Sequence, residues 1–376
     1  MSAQCDYSFG IEEEFFLVRP ETRQLAAQVP ARLLKRARAQ LGESIKSELL
    51  QAQIEIASPV LCDIAQARRQ LGELRRGLSA LAGEHGLALL AAGTHPLGLW
   101  REQIETDKPR YRRLVEDFQI VARRSLVCGL HVHVQLPDDV DRVQAMNRAM
   151  PWLPLFLALS TSSPFWDRLR TGLMSYRQAM YDEWPRTGIP DFFADEAAYD
   201  AFAAVLVRAG AIADAGSLWW AIRPSPNYPT VELRIADACT RLDDSLAIAA
   251  LYRCLMRHLS MRPGDAPPCD AALRRVIDEN RWRAKRFGLQ AQFLDERGRT
   301  EPALTQLQRL RELCAEDARA LDCVEALRTL DAIIERGTSA HAQLACYREQ
   351  RERGATRSAA LRSVVDWLLH TTVPEP

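Results

Sequence analysis

Lysine is nearly missing from this chain. Its 376 residues include 49 basic side chains, yet only Lys35, Lys46, Lys108 and Lys285 are lysines and the rest are arginines. A mechanism that needs a lysine therefore has four candidates. An excess of either charge is missing too: 49 basic residues face 49 acidic ones, for a formal net charge of zero. That excludes a broad nucleic-acid or membrane-binding surface, which depends on a net positive field. No run of 18 apolar residues occurs, so no membrane-spanning helix is expected. The start, MSAQCDYSFGIEEEFF, lacks a basic segment followed by an apolar one, so no secretory signal is expected. Nine cysteines occur without a CxxC pair. In a chain of this size they predict a reducing cytoplasm, with neither a disulfide framework nor a zinc module. GxxxxGK[ST], a GxGxxG after a strand and GxSxG are all absent, which closes the P-loop, dinucleotide and nucleophile-elbow routes. No internal repeat or low-complexity segment is found.

What is present is a set of strands with one polar and one apolar face, the signature of period-two alternation. In residues 7–18, Glu12, Glu14 and Phe16 share a face with Gly10, and Glu13 lies among the apolar side chains of the other. Glu13 is therefore read as a paired structural carboxylate. In residues 127–136, His131, His133 and Gln135 oppose Leu130, Val132, Val134 and Leu136. In residues 230–237, Glu232 and Arg234 oppose Val231, Leu233 and Ile235. Residues 49–58 place Gln51, Gln53 and Glu55 together, and 218–223 read as a further strand. Helical spacing runs through 63–84, 243–261 and most of 302–371, with breaks near Gly337 and Gly354. Residues 182–196 read as a long ordered loop. Trp219 and Trp220 read as core. Strands cluster between helices without strict βαβ alternation, which predicts an α+β fold with an antiparallel sheet.

If these strands are neighbours, four glutamates converge on one surface. Two carboxylates about 4 Å apart repel by about 4 kcal/mol at an effective dielectric of about 20. Such a cluster calls for cations, protons or arginines. Oxygen-rich ligands with an imidazole suit Mg²⁺ or Mn²⁺ better than zinc. A solvated or salt-bridged sheet face is the competing reading of the same pattern.

Six segments, GIEEEFFLV, QIEIASPV, AAGTHPLGLW, CGLHVHV, LWWAIRPSPNYPTVELRIADA and ENRWRAKRFG, occur in this order. With them the chain resembles the carboxylate–amine ligases related to type 2 glutamate–cysteine ligase, in the glutamine-synthetase-like superfamily, over residues 6–290. The resemblance implies a curved antiparallel sheet with helices on its convex side, in one domain over 1–376, with 300–376 a mainly helical extension. It implies ATP and Mg²⁺, with Mn²⁺ as a substitute. Glu12, Glu14, Glu55, His131 and Glu232 match the metal ligands, and Arg234 with Glu55 match the catalytic positions. His131, His133, Arg223, Arg234, Asn280 and Arg283 match the nucleotide side, with Arg286 beside them, and Tyr176, Arg177 and Arg186 the substrate side. Glu48 sits where relatives have an acid, but its parity opposes Glu55 in a continuous strand, so it needs a bulge or loop. Gln135 departs from the small residue common in relatives after HVHV. The implied reaction is ATP-dependent amide formation through γ-glutamyl phosphate, on small amino-acid substrates, in a cytoplasmic enzyme and a homodimer. The alternatives are a metal-dependent hydrolase built on the HVHV pair and a non-catalytic protein that kept the fold.

Overall fold

A computed structural model describes residues 5–262 and 270–375. Twelve strands occur among them: β1 (Phe9–Arg19), β2 (Gln24–Leu25), β3 (Ile45–Ser47), β4 (Gln53–Ala57), β5 (Ala88–Leu90), β6 (Gly129–Gln135), β7 (Phe165–Trp166), β8 (Leu169–Arg170), β9 (Ile222–Pro224), β10 (Thr230–Asp237), β11 (Gln292–Leu294) and β12 (Thr300–Pro302). The main sheet runs β3-β4-β1-β6-β10-β9, with β2 and β5 also paired to β1. All of its pairings are antiparallel, so the fold is the expected α+β class.

The apolar face carries Phe9, Ile11 and Phe15 of β1, Leu130, Val132 and Val134 of β6, and Val231 and Leu233 of β10 in one large core. The helices Ile64–Gly83 and Leu242–Met261 complete that core through Leu71 and Leu78 and through Leu246, Ile248, Leu251 and Leu255. The first is capped by Asp63, whose carboxylate accepts the Gln66 N–H. Glu13 points into this core. Arg75 of the Ile64–Gly83 helix meets it with two N–H donors at 2.9 and 2.5 Å, and the Ser245 hydroxyl adds a third at 2.5 Å.

On the opposite face a second apolar cluster gathers Phe16, Val18, Leu90, Leu126 and Phe165 with Val364, Val365 and Leu368 of the Arg357–Thr372 helix. Glu12 and Glu14 of β1 have the parity of Phe16 and Val18 and so stand on the same face as this cluster. The tail is helical as expected, with breaks at Gly337 and Gly354. Among the described residues no helix is long and apolar enough to cross a membrane.

Three expectations need correction. The strand read over 49–58 begins only at Gln53, because a hairpin connection separates it from the three-residue β3. The strand read over 218–223 covers Ile222–Pro224. The cysteines are not all unpaired, because Cys5 and Cys62 form a disulfide across a sequence separation of 57. The pairing of Phe9 with Leu61 brings the start of the chain beside the segment after β4, a long-range juxtaposition that no local cysteine motif signals. Five of the other described cysteines, Cys128, Cys239, Cys254, Cys314 and Cys323, are buried thiols. Cys269 lies outside the described residues.

Candidate active site

The register of the sheet assembles the site. Glu12 lies opposite His131, Glu14 opposite Glu55, and Glu232 opposite both His133 and Arg223. Directly paired residues share a face, so four glutamates and two histidines occupy one side of four adjacent strands. Five of them, joined by Glu48 from the connection before β4, form two groups, Glu12–His131–Glu232 and Glu14–Glu48–Glu55, each with potential ligand atoms within 4.8 Å of one another.

The first group is balanced by bases. Arg223 Nε donates to Glu232 at 2.8 Å, and Arg234 donates to its other oxygen. Burial pushes the Glu232 carboxyl up, but the Arg234 and Arg223 charges prevail and hold it well below the usual range. Burial, helped by the Arg234 charge, lowers His131 to about 4, so the ring is neutral near pH 7. Its Nδ1 lies 3.4 Å from Glu12. With the proton on Nδ1, that atom donates to Glu12 and Nε2 keeps its lone pair. Nε2 is buried and has no hydrogen-bond partner among the described residues. For Glu12, burial acts upward, and the hydrogen bonds to His131 and His133 outweigh it, leaving the carboxyl far below the usual range.

The second group is short of bases. Burial raises Glu14 to about 7; the Arg177 charge opposes the rise, the Glu55 charge adds to it, and the Gly129 N–H at 2.5 Å pulls it back. Burial and the neighbouring carboxylates raise Glu48 and Glu55 as well. Lys46, directly across from Glu55, places Nζ 2.8 Å from Glu55 and 3.1 Å from Glu12 while remaining half exposed. Carboxylates pushed up by burial and by one another's charge, next to an orphaned imidazole nitrogen, fit divalent cations bound through oxygen.

Other candidates are placed as follows. Glu48 enters from the connection between β3 and β4, the loop its parity required. Arg223 is buried and also donates to the Gly216 and Leu218 carbonyls. Arg234 sits where β10 shifts register against β6 between Leu233 and Ala236. Its guanidinium also donates to the Tyr181 hydroxyl at 3.2 Å. Arg177, 1% exposed, lies across Gly129, where a Cβ would stand 2.2 Å from its Nη2. Only glycine admits that approach. Tyr176 packs on Trp166, and Arg186 stacks on Trp219 and Phe118 and donates to the Ser217 carbonyl. Asn280 and Arg283 are not brought to the carboxylates by their contacts. Asn280 exchanges two hydrogen bonds with the Leu294 backbone, and Arg283 pairs with Glu279 and donates to the Gln292 carbonyl. Arg286 lies over Phe287.

Three participants escape a reading of the sequence. Lys46 lies on a strand too short to show alternation. Tyr181 reaches Arg234 only through tertiary structure. Asp237 has the parity of the apolar face, but the β10 register shift pairs it with Gly129 on the polar side. There it accepts from Ser163 at 2.6 Å and Ser175 at 2.8 Å. Ser163 also accepts the Arg177 N–H, at 3.0 Å. His258, one of the histidines a hydrolase would need, is engaged with Asp317 in the Leu242–Met261 helix.

Comparisons with known proteins identify the family. The model of glutamate-cysteine ligase family 2 (GCS2) matches residues 8–362. The chain is 48% identical over 373 residues to a protein of Ectopseudomonas mendocina named "Putative glutamate--cysteine ligase 2", covering 98% of each. A protein of the same name from Rhodospirillum rubrum is 45% identical over 372 residues, covering 98% of this chain and 96% of that one. Among solved structures, glutamate–cysteine ligase of Francisella tularensis in complex with AMP superposes with a TM-score of 0.69 at 15% identity, covering 98% of this chain and 93% of that one. The bifunctional glutathione synthetase of Pasteurella multocida gives 0.70 at 14% identity, covering 97% of this chain and 52% of that one. At such identities the structures speak for the fold, and the sequence matches speak for the family. The chain belongs to glutamate-cysteine ligase family 2, and so to the ATP-dependent ligases that join a carboxylate to an amine.

Proposed function

We propose that the chain joins the γ-carboxylate of glutamate to an amine, with cysteine as the acceptor, through γ-glutamyl phosphate. The observation that carries the reading is the register that sets Glu12 against His131, Glu14 against Glu55, and Glu232 against His133. Glu12, Glu14, Glu55, His131 and Glu232, with Glu48 added, would hold Mg²⁺ or Mn²⁺. Such ions neutralise phosphate charge when bound.

The protein's own groups do the rest. In the first step the substrate carboxylate oxygen attacks the γ-phosphorus of ATP, and the bond to the bridging oxygen breaks as ADP leaves. Arg234, fixed by Glu232 and Tyr181, presents a planar guanidinium to the transferring phosphoryl group. Arg223 holds Glu232 from the other side. In the second step the amine attacks the acyl carbon and phosphate leaves. No side chain becomes covalently bonded, so positioning and charge neutralisation lower the barrier. Arg177 and Tyr181 form the substrate side together with Tyr176 and Arg186. Asn280 and Arg283 act indirectly, by anchoring the β11–β12 hairpin against their helix. The same reading makes the chain one catalytic domain with a packed helical extension, a cytoplasmic enzyme and a homodimer.

The test is ADP release against a panel of carboxylates and amines with Mg²⁺, followed by mass spectrometry of the product. Release that needs both glutamate and cysteine, with a product heavier than glutamate by cysteine less water, is expected. Release independent of any amine overturns the ligase reading.

A further inference from the structure

A cavity lies away from the carboxylates, on the side of the helices that cover the apolar face. Its volume is about 730 Å³, within the roughly 300–1,000 Å³ of small-molecule sites. Three elements wall it: the Ile64–Gly83 helix, the start of the Leu242–Met261 helix, and the chain after the Arg357–Thr372 helix. Its charged lining is Arg68, Arg69, Arg76 and Arg241 against Asp243 and Glu375.

Arg68 is consumed by an ion pair with Asp243. Among the described residues Arg69, Arg76 and Arg241 have no ion-pair partner, and Arg241 is propped on the Trp367 ring at 5.4 Å. Arg241 is also the N-cap of the Leu242–Met261 helix and supplies no side-chain cap. The first turn of that helix carries Asp243, paired with Arg68, and Asp244, paired with Arg336, which leaves Arg69, Arg76 and Arg241 as the cavity's uncompensated charge. The walls are preformed. The fully buried Arg75 donates to the Cys239 and Thr240 carbonyls at 3.1 and 3.0 Å and to the Thr372 carbonyl at 2.8 Å. One side chain thus staples all three elements.

We propose that this cleft binds a small phosphate-bearing anion, distinct from the nucleotide at the carboxylate face. Three guanidinium forks suit a group with three equivalent oxygens better than a single carboxylate. The site is independent of the reading of the polar face.

Calorimetric titration of the full chain with inorganic pyrophosphate, in chelator and without divalent cations, tests it. The chelator removes the cations through which the carboxylate face would take the probe. One site per chain is expected. Arg76→Met with Arg241→Met should weaken it at least tenfold, Arg69→Glu alone severalfold, and Lys46→Met, on the polar face, not at all. Thermal unfolding without ligand checks that the variants fold, and the exposed Arg69→Glu decides if the double variant does not. No uptake by the parent protein at millimolar pyrophosphate overturns the proposal. So does binding that survives the cleft substitutions or is lost in Lys46→Met.

Discussion

Three consecutive glutamates on β1 meet opposite fates. Glu13 faces the helices, 2% exposed, with a bidentate guanidinium and a hydroxyl on its oxygens. Glu12 and Glu14 face the other way, where Lys46 is half exposed and Glu14 has a backbone N–H and the company of Glu48 and Glu55. The apolar side closes the charge of Glu13. The polar side leaves carboxylates and an imidazole nitrogen open. In the proposed function this shortfall is what cations fill, because clustered carboxylates lower stability until something cationic arrives.

The largest effect should come from the closed side. Arg75→Met leaves Glu13 buried and unpaired, and should cost about 3–5 kcal/mol in urea unfolding. A loss near zero would mean that Glu13 is not the closed charge described. On the open side, Arg234→Lys should lower turnover about 10²–10³-fold, because an ammonium cannot reproduce the fork. Its unfolding midpoint should stay close to the parent's, and near-normal turnover would remove Arg234 from phosphoryl transfer. A smaller effect concerns pH. Glu14 binds its proton more tightly folded, at about 7, than at its ordinary 4.5. The folded state therefore carries extra protons across that window, so stability of the cation-free protein should fall as pH rises through it and level off above. A rise across the window would contradict the crowding of Glu14. The smallest expected change is in Lys46→Met without nucleotide. Removing the ammonium that competes with cations for Glu12 and Glu55 should tighten Mn²⁺ binding severalfold by electron paramagnetic resonance, and weakened binding would count against that competition.

The polar alternation in β1, β6 and β10 made the carboxylates, the histidines and the structural role of Glu13 legible before any coordinates, since period two states which residues share a face. Lys46 was invisible because β3 has three residues. Asp237 could not be placed from alternation because a register shift has no local signature, and the Cys5–Cys62 bond joins segments that only the fold brings together. Asn280 and Arg283 had the right chemistry for phosphate, but their helix turns them toward the β11–β12 hairpin. The near-absence of lysine also takes on meaning: one of four lysines stands among the glutamates, where a compact ammonium fits between two carboxylates.

Thermal unfolding of the parent protein and Glu14→Gln, each with and without Mg²⁺ and ADP, tests most directly whether the open carboxylates are kept for cations. Without cations the variant should be at least as stable as the parent; with them the parent should gain and the variant should gain much less. A variant less stable than the parent without cations, and equally responsive to them, would contradict the account.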